Sequence, residues 1–406
     1  MTRIRREREK NVNFWHLHVL RTLFDASTMS AASIRLGLTQ PAISQAIRAL
    51  ERRYGVDLAV AVSGAFRPTR EGLILNDRGG RALDLLCEGI SEATNLSPLQ
   101  AIQFVRAVSA TRLNALIALV KVGGFAAAAR SIGCSAPTLH RAARDLEAAV
   151  GATLFEATSF GIRPTRIAQV LARFASLAFA ELRQATCEFD AANNIGSGRT
   201  VVGAMPLARS HLAPIVAELF SREHPGHCVS IQEGAYEDLV ARLRDGEVDF
   251  IVGALRSSFE EKELEQTHLF SDRLSIVMRS GHPARNIKRL SRDVLRKYGW
   301  IAPRAGSPLR RHFDDLFAGG SLPSSIIECN SVSASRVILA NSERLMLLSN
   351  LQIEFERSVG LLLTRPHPDG PVTRSIGITV RRNWRPTEAQ SALVRLMKET
   401  VKQMKA

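Results

Sequence analysis

The chain repeats its own opening segment at a constant spacing of 96 residues, and this repeat limits the folds open to its first half. Residues 67–70 read Arg-Pro-Thr-Arg, and residues 163–166 read the same. Two unrelated amphipathic helices can share an apolar stripe, but they would not also share a turn glycine, a helix-start proline and a distal motif. We therefore predict an internal duplication. The other matched positions are Leu17, Leu20, Leu23, Gly37, Pro41, Arg48, Leu50, Glu51, Gly55 and Leu58, which fall on Leu113, Leu116, Leu119, Gly133, Pro137, Arg144, Leu146, Glu147, Gly151 and Leu154.

Each copy contains a stretch typical of a turn followed by an exposed helix. In the first copy Ile43, Ile47 and Leu50 share one helical face and leave a polar face opposite. Thr39 can cap the helix and Pro41 fits its first turn. We predict three short helices between about residues 14 and 53, the last of which reads DNA. The alternative is a bundle helix whose polar face meets water.

The segment after each polar helix is too short for another domain. Tyr54 to Phe66 and Val150 to Ile162 each predict a two-stranded wing, and Thr69 and Thr165 predict the N-caps of longer linker helices. Gly79 and Gly80 lie inside the first of these helices, each at a cost of about 1 kcal/mol relative to alanine. The predicted boundaries are a first winged helix-turn-helix at 1–72, its linker helix at 73–97, a second head at 98–166, its linker helix and hinge at 167–198, and an effector domain at 199–406.

Composition indicates a globular protein with an anionic partner. The 406 residues are 45% hydrophobic, and the formal net charge of +15 favours a polyanion or an anionic membrane surface. The positive charge is spread along the chain and does not locate the binding face. A basic amino-terminal stretch can be a phosphate-contacting arm or a solvated tail. Its members are Arg3, Arg5, Arg6, Arg8 and Lys10.

Cysteine usage and hydropathy favour a cytoplasmic protein. The five cysteines are widely spaced and contain no C-x-x-C pair, which argues against a disulfide framework or a zinc ribbon. The amino terminus is charged, and no apolar run approaches membrane-spanning length. We expect no signal peptide, no cofactor and no bound metal.

The opening segment resembles the LysR-type transcriptional regulators. The family's signature includes a Ser/Thr-Gln-Pro-Ala-x-Ser core, a following Leu-Glu, and later Gly-x-x-Leu-Phe and Leu-Thr-x-x-Gly segments. Ala59 stands where phenylalanine is usual and Pro68 where leucine is usual, whereas the second copy has Ala136 for the glutamine and His140 for the serine. The matching residues of the first copy are Leu36, Thr39, Gln40, Pro41, Ala42, Ser44, Ile47, Leu50, Glu51, Gly55, Leu58, Thr69 and Gly72.

The resemblance implies a helix that reads the major groove of double-stranded DNA, a wing, and a linker helix that pairs between subunits. Glutamine and arginine can bond base edges bidentately, whereas serine and threonine hold phosphates. The implied DNA contacts are Thr39, Gln40, Pro41, Ser44, Gln45, Arg48, Arg67 and Arg70 in the first head, and Ser135, Thr138, His140, Arg141, Arg144, Arg163 and Arg166 in the second. It further implies a homodimer or homotetramer and contact with RNA polymerase.

Two heads in one chain are unusual for this family, which normally has one. One hypothesis is that the two linker helices of a single chain pair with each other and form a self-contained pseudo-dimer. The other is that one head is a structural relic and the chains dimerise in the ordinary way.

The second half alternates strands with helices, which favours a parallel sheet with crossover helices. Ser307 and Pro308 predict the start of a helix that Gly319 ends. The resemblance implies an effector domain of two α/β lobes, like a periplasmic-binding protein, with the ligand between them. The predicted strands are 200–205, 228–233, 250–255, 274–278, 299–303, 326–330, 345–349 and 375–380; the predicted helices are 210–223, 237–244, 308–317, 334–341 and one from 387.

Ligands of open α/β sheets bind beyond the carboxyl ends of the strands. Arg209, Arg256 and Arg304 lie at such positions, so we expect a small anionic effector. Solvated surface arginines are the alternative. The full set of candidate ligand contacts is Leu207, Ala208, Arg209, Ser210, Gly253, Arg256, Arg304, Ser307, Ser331 and Ser333.

Other classes of function have less support. His224, His227 and Cys228 can be imagined as metal ligands, but no partner follows at structural-zinc spacing. We find no nucleophile elbow, P-loop or dinucleotide fingerprint in a supporting context, so we do not expect an enzyme. The sequence predicts a ligand-responsive transcription regulator; the alternative is a small-molecule-binding or partner-binding protein whose heads no longer read DNA.

Overall fold

A computed structural model describes residues 12–62, 65–94, 96–159, 161–193, 198–256 and 262–404. The basic residues of the amino-terminal arm, Arg3 to Lys10, lie outside the described residues, as do residues 194–197 of the polar hinge. The chain forms two compact units, drawn from residues 1–198 with 244–247 and from residues 199–243 with 248–406.

The first unit opens with three short helices and a β-hairpin. Thr39 accepts a hydrogen bond from the backbone N–H of Ala42 and caps the third helix, with Pro41 in the first turn. The predicted three helices, wing and cap are confirmed. The elements are α1 (Phe14–Ala26), α2 (Met29–Leu36), α3 (Gln40–Tyr54), β1 (Ala59–Val62) and β2 (Ala65–Pro68). The predicted apolar face of α3 is buried at Ile43, Ile47 and Leu50.

Two helices follow the hairpin, α4 (Arg70–Thr94) and α5 (Pro98–Ala107). Thr69 accepts a hydrogen bond from the Gly72 N–H at 2.9 Å, as expected of an N-cap. Ser97 and Gln100 form a capping box at the start of α5. Helix α5 packs against α1 and α4 and was not predicted as a separate element.

The next set of elements matches the first at the spacing of the sequence repeat. Every helix and strand of this set begins and ends 96 residues after its counterpart. The elements are α6 (Ala110–Val122), α7 (Phe125–Ile132), α8 (Ala136–Val150), β3 (Phe155–Thr158) and β4 (Gly161–Pro164). The second linker helix, α9 (Arg166–Ala192), is capped by Thr165 as predicted and begins 96 residues after α4.

Helices α4 and α9 pack along one another within this chain. Arg78 of α4 meets Glu181 and Glu188 of α9, whereas Glu92 at the other end of α4 meets Arg173, so the two helices run antiparallel. Helix α9 also completes the core of the first head, since Phe179 contacts Phe14 and Phe189 contacts Tyr54, with ring centroids 5.7 and 5.5 Å apart. One continuous hydrophobic cluster therefore includes both linker helices and the first head.

The second unit alternates strands with helices. Its first part contains β5 (Arg199–Ala204), a π-helical turn (Ala208–Leu212), α10 (Ala213–Glu223), β6 (Cys228–Glu233), α11 (Tyr236–Arg244), β7 (Phe250–Ala254) and β8 (Leu264–Arg279). A 3₁₀ turn (Pro283–Asn286), α12 (Arg292–Arg296), β9 (Trp300–Ala302), α13 (Pro308–Leu316), β10 (Ile326–Glu328), α14 (Val332–Ala340) and β11 (Leu345–Ser349) come next. The unit ends with a 3₁₀ turn (Asn350–Ile353), α15 (Glu354–Ser358), β12 (Leu362–Arg365), β13 (Val372–Arg381) and α16 (Glu388–Gln403).

The strands of this unit form one mixed sheet in the order β10-β9-β11-β8-β13-β7-β5-β6, with β12 beside β8. The pairs among β5, β6 and β7 and among β9, β10 and β11 are parallel, as predicted. The expectation of parallel pairing is wrong at the centre, where β8 and β13 pair antiparallel to each other and to their neighbours. The predicted strand at 274–278 is the end of the 16-residue β8.

Two hydrophobic cores flank the central pair of strands. One gathers around β5 and β7 and contains Phe220, Phe250 and Met397. The other gathers around β9 and β11 and contains Trp300 and Phe313. Because the long strands supply residues to both cores, these strands join the two halves of the unit.

The helix that begins at Ser307 and Pro308 was predicted correctly at its start and wrongly at its end. Ser307 accepts a hydrogen bond from the Arg310 N–H and caps α13. The helix ends at Leu316, three residues before Gly319, whose positive φ of 77° belongs to the following turn. The backbone N–H of Phe317 bonds to Asp314 instead.

Substitution by alanine at two glycines of α4 should change the stability of the protein in opposite directions. A Cβ at Gly89 would lie 2.5 Å from the Phe174 Cβ of α9, whereas a Cβ at Gly80 would meet Arg21 Cδ at an ordinary 3.9 Å. We expect Gly89→Ala to lower the free energy of unfolding in urea by about 1–3 kcal/mol through overpacking. Gly80→Ala should raise it by about 0.5–1 kcal/mol because alanine favours the helix. Equal effects of the two changes would contradict this packing.

Candidate nucleic-acid interface and ligand site

The first recognition helix, α3, presents its polar face to solvent. Burial of Ile43, Ile47 and Leu50 against α1 and the linker helices fixes which way the helix faces. The sequence-predicted contacts on the opposite face are exposed, apart from the half-buried Ser44: Thr39, Gln40, Pro41, Gln45 and Arg48. The structure therefore brings these predicted residues together on one surface. Gln40 Nε2 additionally donates to Ser30 Oγ of α2 at 3.3 Å, which orients its amide.

The second recognition helix, α8, carries different chemistry at the same positions. Ser135 caps the helix, and its hydroxyl lies 2.7 Å from the Thr138 hydroxyl. The His140 ring stacks on Phe125 of α7 with centroids 3.5 Å apart and planes 14° from parallel. Arg141 and Arg144 are exposed. The predicted residues again share a surface, but the aromatic stack limits the rotation of His140.

The two wings differ in the charge beside their arginine. In the second wing Glu156 lies opposite Arg163 across the hairpin, and the Arg163 guanidinium bonds the Glu156 carboxylate at 2.7 Å. In the first wing the corresponding partner of Arg67 is Val60. Arg163 is thus neutralised locally, whereas Arg67 faces a hydrocarbon side chain. Arg70 and Arg166 begin the two linker helices and are exposed.

Two positions of the family signature support the wing and are not placed to read DNA. They are the glutamate near the end of the recognition helix and the threonine that caps the linker helix. A Glu51 carboxylate oxygen accepts a hydrogen bond from the Leu58 N–H at 3.1 Å, and Glu147 accepts one from the Leu154 N–H at 2.8 Å. Each glutamate therefore ties the end of its recognition helix to the start of the wing. The hydroxyl of Thr69 donates to the Asp57 carbonyl at 2.6 Å, which links wing and linker helix in the same way.

The structure changes the interpretation of several predicted ligand contacts in the second unit. The side chains of Leu207 and Ala208, predicted as ligand contacts, are buried in the hydrophobic core. Gly253 is also buried, and a Cβ there would lie 2.4 Å from Met205, which explains the glycine by packing. Ser210 donates its hydroxyl hydrogen to the Pro206 carbonyl.

The three arginines expected to attract an anion have different surroundings. Arg209 pairs with Glu233 at 2.7 Å, and Arg256 pairs with Glu237 at 3.3 Å while lying 4.3 Å from the Tyr236 ring centroid. Arg304 is exposed, and its backbone N–H donates to Asn330 at 2.8 Å. Glutamate partners thus offset the charge of two of the three.

The three remaining candidates lie at the starts of helices. Ser307 follows Arg304 closely in the sequence, whereas Ser331 and Ser333 follow β10, the strand that pairs with β9. Ser307 caps α13, and Ser331 caps α14 through a hydrogen bond from the Ala334 N–H. Ser333 is exposed in the first turn of α14. Helix starts carry partial positive charge, so this end of the sheet favours negative groups.

A buried polar network at the crossing of β8 and β13 was not predicted. Arg374 donates to Asp272 at 2.8 Å and to Gln352 at 2.9 Å, and Ser349 donates to Asp272 at 2.5 Å. The signal in the sequence is weak, because one charged residue within an apolar strand does not reveal its partner.

Burial, with Arg374 as the next cause, lowers the pKa of the His312 imidazole below its ordinary value. Burial likewise lowers the pKa of His211 in the π-helical turn.

The histidines considered as metal ligands have other contacts. His224 stacks on Phe220 with centroids 4.2 Å apart, and His227 Nε2 lies 2.9 Å from the Thr200 hydroxyl. Within the described ranges, no cluster of three or more His, Cys, Asp or Glu side chains is arranged to hold a metal ion. Nor does that part of the chain contain a helix long and apolar enough to span a membrane.

Exposed recognition helices with basic wings, joined to an α/β unit, define a DNA-binding transcriptional regulator with an effector-binding domain. The chain belongs to the LysR family of these regulators. The family model "LysR substrate binding domain" matches residues 194–402, and "Bacterial regulatory helix-turn-helix protein, lysR family" matches residues 14–73 and 110–169.

Two transcriptional regulators are similar to this chain over most of their length. The HTH-type transcriptional regulator GalR of Pseudomonas putida is 28% identical over 93% of this chain and 94% of its own. The HTH-type transcriptional regulator PcaQ of Agrobacterium fabrum is 27% identical over 67% of this chain and 88% of its own. Among solved structures, a full-length OxyR variant of Pseudomonas aeruginosa shares the fold with a TM-score of 0.53 at 21% identity, covering 72% of this chain and 93% of its own.

Removal of Glu156, the acidic partner of Arg163, should add a contact between the second wing and DNA. Glu156→Val reproduces the pairing of the first wing and frees Arg163 to meet a phosphate. We expect the slope of log affinity against log salt concentration to become steeper by about 0.9, the value for one added phosphate contact. DNA from the region flanking the gene serves as the probe. The combined change Glu156→Val/Arg163→Ala should show no such steepening, and an equal slope in both variants would contradict the role of Arg163.

Proposed function

We propose that this protein is a ligand-responsive, sequence-specific transcription regulator in which both heads contact DNA. The observation that supports this most is the exposed polar face of each recognition helix, α3 and α8, above a buried apolar face and beside a hairpin that carries an arginine.

The first head is the better equipped to read bases. Gln40, Gln45 and Arg48 are exposed on α3, and these residue types bond adenine or guanine edges in the major groove. Thr39 and Ser44 supply hydroxyls for phosphates. Arg67 and Arg70 contribute backbone contacts at the wing and at the start of the linker helix.

The second head reads a different surface of DNA. His140, Arg141 and Arg144 replace Ser44, Gln45 and Arg48, so two of the three central side chains differ. Arginine favours guanine edges. We infer that the two heads bind unlike half-sites.

The two heads come from an internal duplication. The elements of the first head, α1 to β2, begin and end 96 residues before their counterparts in the second, α6 to β4. This spacing and the two matches of one family model support this origin. The alignment with GalR spans 93% of this chain and therefore cannot omit either 60-residue segment, which indicates that the arrangement is not confined to this sequence.

The second unit binds a small anionic effector between two lobes resembling a periplasmic-binding protein. Arg304, with the helix starts at Ser307 and Ser331, offers the positive potential that such a ligand needs. The ligand acts through a difference in affinity between two conformations of the regulator. Chains associate as homodimers or homotetramers and contact RNA polymerase at the promoter.

Footprinting on the DNA that flanks the gene tests the role of each head. We compare the wild type with Gln45→Ala/Arg48→Ala in the first head and His140→Ala/Arg144→Ala in the second. Each pair should remove protection from one part of the footprint only, since each lost bidentate contact is worth about 1–3 kcal/mol of discrimination.

Protection lost only with the first pair would show that the second head does not read sequence. Weak binding that is indifferent to sequence and disappears with competitor DNA would favour the second candidate function, a ligand-binding or partner-binding protein. The stacked His140 and the paired Arg163 of the second head favour that candidate in part.

Thermal unfolding with small carboxylates tests the effector class. We expect a sugar acid or an aromatic carboxylate, but not a neutral sugar, to raise the Tm by roughly 5–10 °C at a hundredfold excess over its Kd. Arg304→Gln should abolish the shift, whereas Arg395→Gln, on the last helix, should preserve it. A shift with neutral sugars alone would contradict an anionic effector.

A further inference from the structure

The interface between the linker helices α4 and α9 is built from unlike residues at positions that the repeat makes equivalent. Arg78 of α4 is 4% exposed and lies between Glu181 and Glu188 of α9, at 2.9 and 2.5 Å. The residue 96 positions after Arg78 is Phe174. One end of the interface is therefore a buried charge and the other an aromatic ring.

Phe174 is received by a residue that only α4 supplies. Its ring packs over Gly89, where a Cβ would lie 2.5 Å from the Phe174 Cβ. The residue 96 positions after Gly89 is Ala185. The aromatic ring thus needs the glycine of α4 and would collide with the alanine of α9.

The same equivalence shows what two identical linker helices would meet. In a pair of α4 helices, Glu92 would take the place of Glu188 beside Arg78, but Leu85 would take the place of Glu181. The space above Gly89 would lack the phenyl ring, because Arg78 stands where α9 has Phe174. In a pair of α9 helices, Phe174 would face Ala185, and both glutamates would lose the arginine. Each identical pairing removes at least one partner of a buried group, a device that selects one partner by rejecting the other.

Two further ion pairs flank these central contacts of the interface. Arg81 of α4 contacts Glu181 at 3.2 Å, and Glu92 of α4 contacts Arg173 of α9 at 3.5 Å. Arg81 has Leu177 as its equivalent in α9, and Arg173 has Asp77 in α4. These contacts also join unlike positions.

We propose that α4 and α9 are a mutually selective pair that closes within one chain, so that a single chain carries a complete pair of heads. Residues 95–165 join the two helices and include the second head and helix α5, which packs against α1 and α4. Because the two helices belong to one chain, their pairing is intramolecular and does not depend on protein concentration, whereas pairing with a second chain weakens as the protein is diluted. The linker-helix surface is then occupied before another copy arrives. This inference does not depend on the effector or on DNA binding.

Isotope-mixed cross-linking of the full chain tests it directly. Glu92→Cys/Arg173→Cys places two thiols across the interface. We mix unfolded ¹⁴N and ¹⁵N chains in equal amounts, refold them at about 1 μM, oxidise them and identify the 92–173 disulfide by mass spectrometry. We expect cross-linked peptides that are wholly light or wholly heavy. If half of all the cross-linked peptides carry both isotopes, the helices pair between chains and the proposal is overturned.

Charge exchange provides a second and independent measurement. Arg78→Glu and Glu181→Arg/Glu188→Arg should each lower the Tm. The chain carrying all three changes should recover part of the loss, because residue 78 regains opposite charges while Arg81 faces a like charge at position 181. Co-expression of the two defective chains should give no recovery, because each chain pairs its own like charges. Recovery on co-expression would overturn the proposal, since exchange between chains would restore the ion pairs of residue 78.

Asp84→Lys serves as the matched control on the same helix. Asp84 is 64% exposed and contacts only the partly exposed Arg21 among the ion pairs described, so reversing its charge should leave the Tm nearly unchanged. A Tm loss equal to that of Arg78→Glu would show that α4 tolerates no charge reversal, and the selectivity assigned to Arg78 would be wrong.

Discussion

Pairing of a buried arginine governs the arrangement of the first unit. The guanidinium of Arg78 is almost fully removed from water, and an uncompensated buried charge costs about 3–5 kcal/mol. Glu181 and Glu188 are two helical turns apart on one face of α9, so α4 satisfies Arg78 in only one register against that helix. Phe179 and Phe189 on α9 then close the core around α1 and α3. The first recognition helix packs in this core with its buried residues Ile43, Ile47 and Leu50.

The sequence predicted the elements whose signals are local. Thr39, Thr165 and Ser307 mark the starts of their helices because a hydroxyl cap acts within three residues. The β-hairpins and the boundaries of the second head follow from the repeat. The antiparallel centre of the large sheet was missed because β8 and β13 pair over about 100 residues of sequence, and nothing in either strand states its direction. Helix α5 was missed because its ten residues fall between two copies of a stronger pattern.

The candidate site was predictable in position but not in its charge balance. Exposure of Gln45 and Arg48 follows from the burial of the opposite face, which periodicity reveals. The pairing of Arg163 with Glu156, or of Arg209 with Glu233, depends on strand register and neighbouring strands, which the sequence does not show. Leu207 and Ala208 were placed at a strand end correctly, but the π-helical turn directs their side chains into the core.

Because the two heads occupy different stretches of one polypeptide, a substitution in one head does not alter the other. In a symmetric dimer every substitution in the gene appears twice, so both half-sites must change together. Here a change at Gln45 leaves Arg141 untouched, and a change at His140 leaves Ser44 untouched. Each recognition helix is consequently free to drift toward its own sequence, while Glu51 and Glu147 hold both wings in the same geometry. Divergence of the reading surfaces over matched frameworks is the outcome that such a gene permits.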